Sequence, residues 1–159
     1  MDTIDPRDTA PVGSPTGDDP AAAVHEQILA LHAEHGFDVV IFTNDGRVVD
    51  ASPALSREVI ERCGATGYGL KNLSRAYAEM GLNKDVPLTV ERVVVRFKDG
   101  ALVLLSATDD MWVAGAIPKQ GLSDAGSILA RFADRIAPLL PAGTATALNT
   151  LPPVLSGSR

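Results

Sequence analysis

Residues 88–117 restrict the possible folds more than any other stretch of the chain. Leu88 to Phe97 alternates around Val90, Val93 and Val95, Lys98-Asp99-Gly100 turns, Ala101 to Thr108 returns, Asp109-Asp110 turns again, and Met111 to Ile117 supplies a third apolar run. Period-two alternation sends successive side chains to opposite faces, and connections this short can join only antiparallel neighbours. A parallel sheet is excluded here, and a three-stranded meander is expected.

A hairpin precedes the meander. Phe37 to Thr43 is β-branched and aromatic, Asn44-Asp45-Gly46 is a hairpin turn, and Arg47 to Ala51 runs back. Helical signals surround both units. Asp19-Pro20 reads as an N-cap with proline in the first turn, and Val24, Ile28 and Leu31 then recur at helical spacing until Gly36, giving a helix near 20–35. Ser52-Pro53 repeats the signature, with Leu55, Val59, Ile60 and Cys63 as the apolar stripe up to Gly64. Gly64, Gly67 and Gly69 predict a break or kink, after which Leu70, Leu73, Tyr77 and Met80 resume the pattern as far as Gly81. Ser123 or its predecessors can cap a last helix, whose inward stripe is Ile128, Leu129, Phe132, Ile136, Leu139 and Leu140 before Pro141. The order α-β-β-α-β-β-β-α specifies an α+β fold: one five-stranded antiparallel sheet with helices to cover it.

Composition places the boundaries. Residues 1–19 are rich in Pro, Gly, Ser and Thr, with five aspartates and few large apolar side chains, and read as a disordered acidic leader. Residues 141–159 carry no charge before Arg159 and read as a flexible tail, although Leu148, Leu151, Val154 and Leu155 could dock. The 159 residues therefore hold one domain, 20–140. Of the formal net charge of −6, residues 1–20 account for −4, so the domain itself is nearly balanced. Phosphate binding needs clustered Lys and Arg, and single-strand stacking needs aromatics; the chain has only seven aromatics, and a nucleic-acid partner is excluded. No apolar run approaches the about 20 residues of a membrane-spanning helix. The lone Cys63 and an N-terminus without basic and apolar regions point to a cytoplasmic protein.

Chemistry finds little to work with. His25, His32 and His35 all lie on the first helix without a converging third ligand, so no metal is proposed and the histidines read as a solvated helical face. The run Gly64-Ala65-Thr66-Gly67-Tyr68-Gly69-Leu70-Lys71 misses the phosphate-loop pattern, because Leu70 separates Gly69 from Lys71 and no Ser or Thr follows the lysine. Cys63 reads as a small core residue. No nucleophile, base and orienting group can be nominated together, so neither catalytic residues nor a cofactor are assigned.

The Asn44 to Ser52 hairpin, the Asp109-Asp110-Met111-Trp112-Val113-Ala114-Gly115-Ala116 strand entry and the helix start at Leu122-Ser123-Asp124-Ala125-Gly126-Ser127 resemble the Roadblock family of dynein-light-chain-like domains, in its bacterial form. The likeness covers about residues 21–140 and departs at the three glycines, where the family's second helix is continuous. It implies a profilin-like three-layer sandwich and a non-enzymatic homodimeric adaptor for a small Ras-like GTPase or a larger complex. In such dimers the second helices pack together and the third strands pair across the two-fold axis. Along the third strand, Val90, Arg92, Val94 and Arg96 are expected on one face, turned toward the dimer helices or a partner. Val93, Val95 and Phe97 are expected on the other, packed on helices. Lys71, Arg75, Tyr77 and Met80 are the candidate contacts on the second helical arm, against the plainer reading of an amphipathic surface. The alternative function is a small-ligand sensor of profilin-, PAS- or GAF-like architecture, which requires a polar-lined cavity.

Overall fold

The computed structural model describes residues 19–81 and 89–141. The leader up to Asp18, the C-terminal tail after Pro141 and Leu88 lie outside the described residues. Helix α1 spans Pro20–His35. The Asp19 carboxylate accepts the Ala21 N–H at 3.1 Å, and the Gly36 N–H closes the other end on the His32 carbonyl at 2.8 Å. Strand β1 (Asp38–Thr43) turns into β2 (Val48–Ala51), and helix α2 (Arg57–Gly81) follows. The meander consists of β3 (Arg92–Phe97), β4 (Gly100–Ser106) and β5 (Met111–Pro118), and α3 (Ala125–Ile136) completes the order.

The five strands form one antiparallel sheet in the order β2-β1-β5-β4-β3. The meander thus keeps sequential neighbours together, and the hairpin joins it by pairing β1 with β5 from Asp38 opposite Ala116 to Thr43 opposite Met111. Central β1 and β5 are covered on both faces, which is why they read as nearly continuous apolar runs. Val49 has no partner in the β1–β2 register, so β2 bulges at the sheet edge.

Helices α1 and α3 cover one face. Val24, Ile28 and Leu31 pack with Val39, Ile41, Val103, Val113, Leu129, Phe132 and Ile136 in the main core. Helix α2 covers the other face, over a smaller cluster of Phe42, Leu104, Trp112 and Ala114. The layers are α1 and α3, sheet, and α2.

Helix α2 corrects the sequence reading. Gly64, Gly67 and Gly69 do not break it; the helix is continuous for 25 residues, about 37 Å of axis. Gly64 and Gly67 are its only fully buried residues. A side chain at Gly64 would collide with the Gly46 carbonyl in the β1–β2 turn, and a Cβ at Gly67 would lie 2.5 Å from Phe42 Cζ. The two glycines, three apart, are the surface on which the helix meets the sheet. Their helix-weakening tendency is offset by burial that any larger residue would prevent.

The helix start is corrected too. Ser52 is buried, and its hydroxyl accepts the Val39 N–H at 2.9 Å while its own N–H returns to the Val39 carbonyl, so it serves the hairpin and not the cap. Ser56 caps instead, accepting from the Val59 N–H at 3.3 Å. Val59, expected in an inward stripe, is exposed, and Cys63 is half-buried. The last helix is preceded by Asp124, not Ser123, with the Ser127 hydroxyl donating to the Asp124 carbonyl.

Candidate protein-interaction surface

The third strand lies at the edge of the sheet, paired with β4 alone among the described residues. Cross-strand partners share a face, so the register assigns its side chains. Arg92 and Val94 sit opposite Leu105 and Val103, which belong to the core under α1 and α3; Val93 sits opposite Leu104, under α2. The basic face therefore lies on the α3 side, turned away from the second helix of its own chain, and the apolar face with Val93, Val95 and Phe97 lies on the α2 side. Arg92 Nη1 lies beside Gly126 of α3, where an added Cβ would be 3.4 Å away. Val90 precedes the strand and is half-buried against the α2-side cluster, so it does not share a face with Arg92, Val94 and Arg96.

The candidates on α2 separate into two groups. Lys71 turns inward and is half-buried, its ammonium donating to the Asn44 carbonyl at 3.0 Å and to Asn44 Oδ1 at 3.1 Å. It also sits 5.4 Å from the Tyr68 ring centroid and 5.6 Å from that of Trp112. Burial holds its pKa below the ordinary lysine value, helped by the Arg75 charge and opposed by Asp45. Asp45 in turn is held below the usual carboxylate range, chiefly by the Thr43 hydroxyl that donates to it.

Asn44 organises this corner, and the sequence reading gave it no such role. Its Oδ1 also accepts Trp112 Nε1–H at 2.9 Å, and its Nδ2 donates to the Asp109 carbonyl at 2.8 Å. One side chain so ties the β1–β2 and β4–β5 turns to α2. The partners are up to 68 positions apart, and no local pattern announces them.

The second group, Arg75, Tyr77 and Met80, points away from the molecule. Leu70, Leu73, Tyr77 and Met80 lie on one helical stripe, and burial falls steadily along it: Leu70 is half-buried, Leu73 is 53% exposed, Tyr77 65% and Met80 80%. Arg75 is exposed and pairs with Glu79 at 3.3 Å. On the neighbouring strand edge Val94 is 51% exposed and Phe97 61%. Between α2 and the sheet, Val59, Cys63, Thr66, Leu102, Leu104 and Ala114 border an apolar crevice of about 170 Å³. Burial pushes the Cys63 thiol up, so it stays protonated at neutral pH.

Two of the three histidines of α1 are anchors. His25 Nδ1 lies 3.1 Å from Asp50 and His32 Nδ1 3.0 Å from Asp38, tying the helix to β2 and β1. The solvated face expected for them is half correct, since both rings are partly exposed. No group of residues suited to a metal ion occurs among the described residues, and no helix there is long and apolar enough to cross a membrane.

No protein-family model matches the chain, and no curated protein matches it in sequence. Solved structures do match in fold. A Roadblock/LC7 domain from Streptomyces avermitilis superposes with a TM-score of 0.61 at 19% identity, covering 71% of this chain and 93% of that one. The gliding protein MglB of Thermus thermophilus gives 0.65 at 13% identity, covering 76% and 90%. Profilin IA of Acanthamoeba castellanii gives 0.52 at 13%, covering 74% and 96%.

Proposed function

We propose, from a fold shared with Roadblock/LC7 domains and MglB, that this chain is a non-enzymatic homodimeric adaptor that holds a small Ras-like GTPase or a larger complex. The observation that carries the reading is the apolar stripe Leu70, Leu73, Tyr77 and Met80, which loses its cover turn by turn beside a strand that pairs on one side only among the described residues. Exposed contiguous apolar surface and an alternating sheet edge are both liabilities for a monomer, and a second copy related by a two-fold axis covers both at once.

The GTPase is what the resemblance to the Roadblock family implies. The adaptor works by positioning its partner, and none of its arginines is assigned a role in phosphoryl transfer. The ligand-sensor alternative needs a polar-lined cavity. The centre of the sheet face under α1 and α3 is filled by packed aliphatic and aromatic side chains, and the crevice under α2 is lined mainly by apolar groups; the polar space on the first face, about 660 Å³ bordered by Glu91, Arg92, Ser106 and Asp134, is an open recess at the β3 edge and not an enclosed cavity, which favours the adaptor.

The test is affinity capture with the full chain from lysate of its source cell, loaded in parallel with GDP or a non-hydrolysable GTP analogue. A small GTPase enriched with one nucleotide, and lost with Tyr77→Ser/Met80→Ser, is the expected result. Recovery of no GTPase with either nucleotide contradicts the partner assignment.

A further inference from the structure

The other end of the sheet carries a groove that the adaptor reading does not use. Helix α1, the bulged edge strand β2 and the 3-10 turn Ala137–Leu139 after α3 enclose about 420 Å³ of mainly apolar space, enough for several aliphatic side chains. Val24, Val49, Pro138 and Leu139 line it, and Asp19 and Asp50 stand among its lining residues. Val49, unpaired at the bulge, is one of the large apolar side chains left exposed, and β2 has no neighbour on its outer side among the described residues.

We infer that this groove is the docking site for the chain's own residues 142–159, bound in cis. Both ends of the described domain meet here, since Asp19 and Pro141 line the same groove, so position alone favours neither flanking segment. Charge and side-chain size decide between them. Residues 1–18 carry Asp2, Asp5, Asp8 and Asp18, which a mainly apolar groove bordered by Asp19 and by Asp50, itself paired with His25, disfavours. Residues 142–159 have no acidic side chain and offer Leu148, Leu151, Val154 and Leu155. Seven residues from Pro141 to Leu148 span at most about 25 Å when extended, which leaves slack for the segment to fold back onto the groove from which it starts. Covering Val49 would also shield the β2 edge, leaving β3 as the open edge of the sheet.

The experiment is methyl NMR on the full chain. Cross-peaks from Val49 methyls to Leu148 or Leu151 methyls are expected, and a mixture of differently labelled chains should show them within one chain only. Leu148→Asp/Leu151→Asp should remove them and speed amide exchange in β2 about tenfold, with β4 and β5 unchanged. Absence of these cross-peaks together with unchanged β2 exchange in the variant overturns the inference. Cross-peaks found only between chains overturn it as well, by making the occupant a second copy. Neither readout depends on the β3 edge or on a GTPase, so failure here leaves the adaptor reading standing.

Discussion

Gly67 and Gly69 are two positions apart on the same helix and have opposite surroundings. A methyl group at Gly67 meets the Phe42 ring, whereas one at Gly69 meets nothing within 4 Å. Overpacking a tight contact costs about 1–3 kcal/mol, while replacing an exposed helical glycine by alanine gains about 0.5–1 kcal/mol. Gly69→Ala should therefore raise the denaturant midpoint and Gly67→Ala lower it. Two stabilised variants would mean that Gly67 does not seat the helix on the sheet. Residue-scale legibility followed locality. Asp19-Pro20 announced a cap because capping acts over two or three positions. The role of Gly67 was hidden because Phe42 lies 25 positions away, and a glycine read alone signals only weak helix propensity. Ser52 misled for the same reason: its short-range signature is that of a cap, but its hydroxyl is taken by Val39 across the hairpin.

Among the elements, α2 has an apolar stripe on a helix whose contact with the sheet is made by glycines. Periodicity located Leu70, Leu73, Tyr77 and Met80 but could not say that their cover thins toward the C-terminus, which depends on where the sheet ends. The strands were more legible, since alternation and turns fix antiparallel pairing directly. In β3 the pattern separates the two faces without stating which helix lies over each, so the covering helices were not legible. The half-buried Cys63 probes the crevice under α2. Its thiol is raised by burial, and the thiolate is the reactive form, so alkylation at pH 8 should be slower than for an exposed cysteine. The rate should keep rising beyond the pH at which an ordinary thiol levels off. Iodoacetamide kinetics matching a free peptide thiol would show that the crevice is open to water.

As a whole molecule, the domain has one well-filled face and one sparsely covered face, which suits a unit completed by a second copy. The sequence order of helices and strands was enough to reach this architecture, because each connection permits few alternatives. What surrounds the exposed stripe was not legible, since an apolar surface looks the same in sequence whether it meets its own core or a partner. Sedimentation equilibrium of the wild type and Val94→Asp at matched concentration tests the dimer most directly. Val94 is half-exposed on the β3 edge, so the aspartate leaves the core intact while placing two like charges at a two-fold strand pairing. A strand-paired homodimer gives twice the chain mass for the wild type and a folded monomer for the variant; an unchanged dimer mass in Val94→Asp, or a monomeric wild type, rules that dimer out.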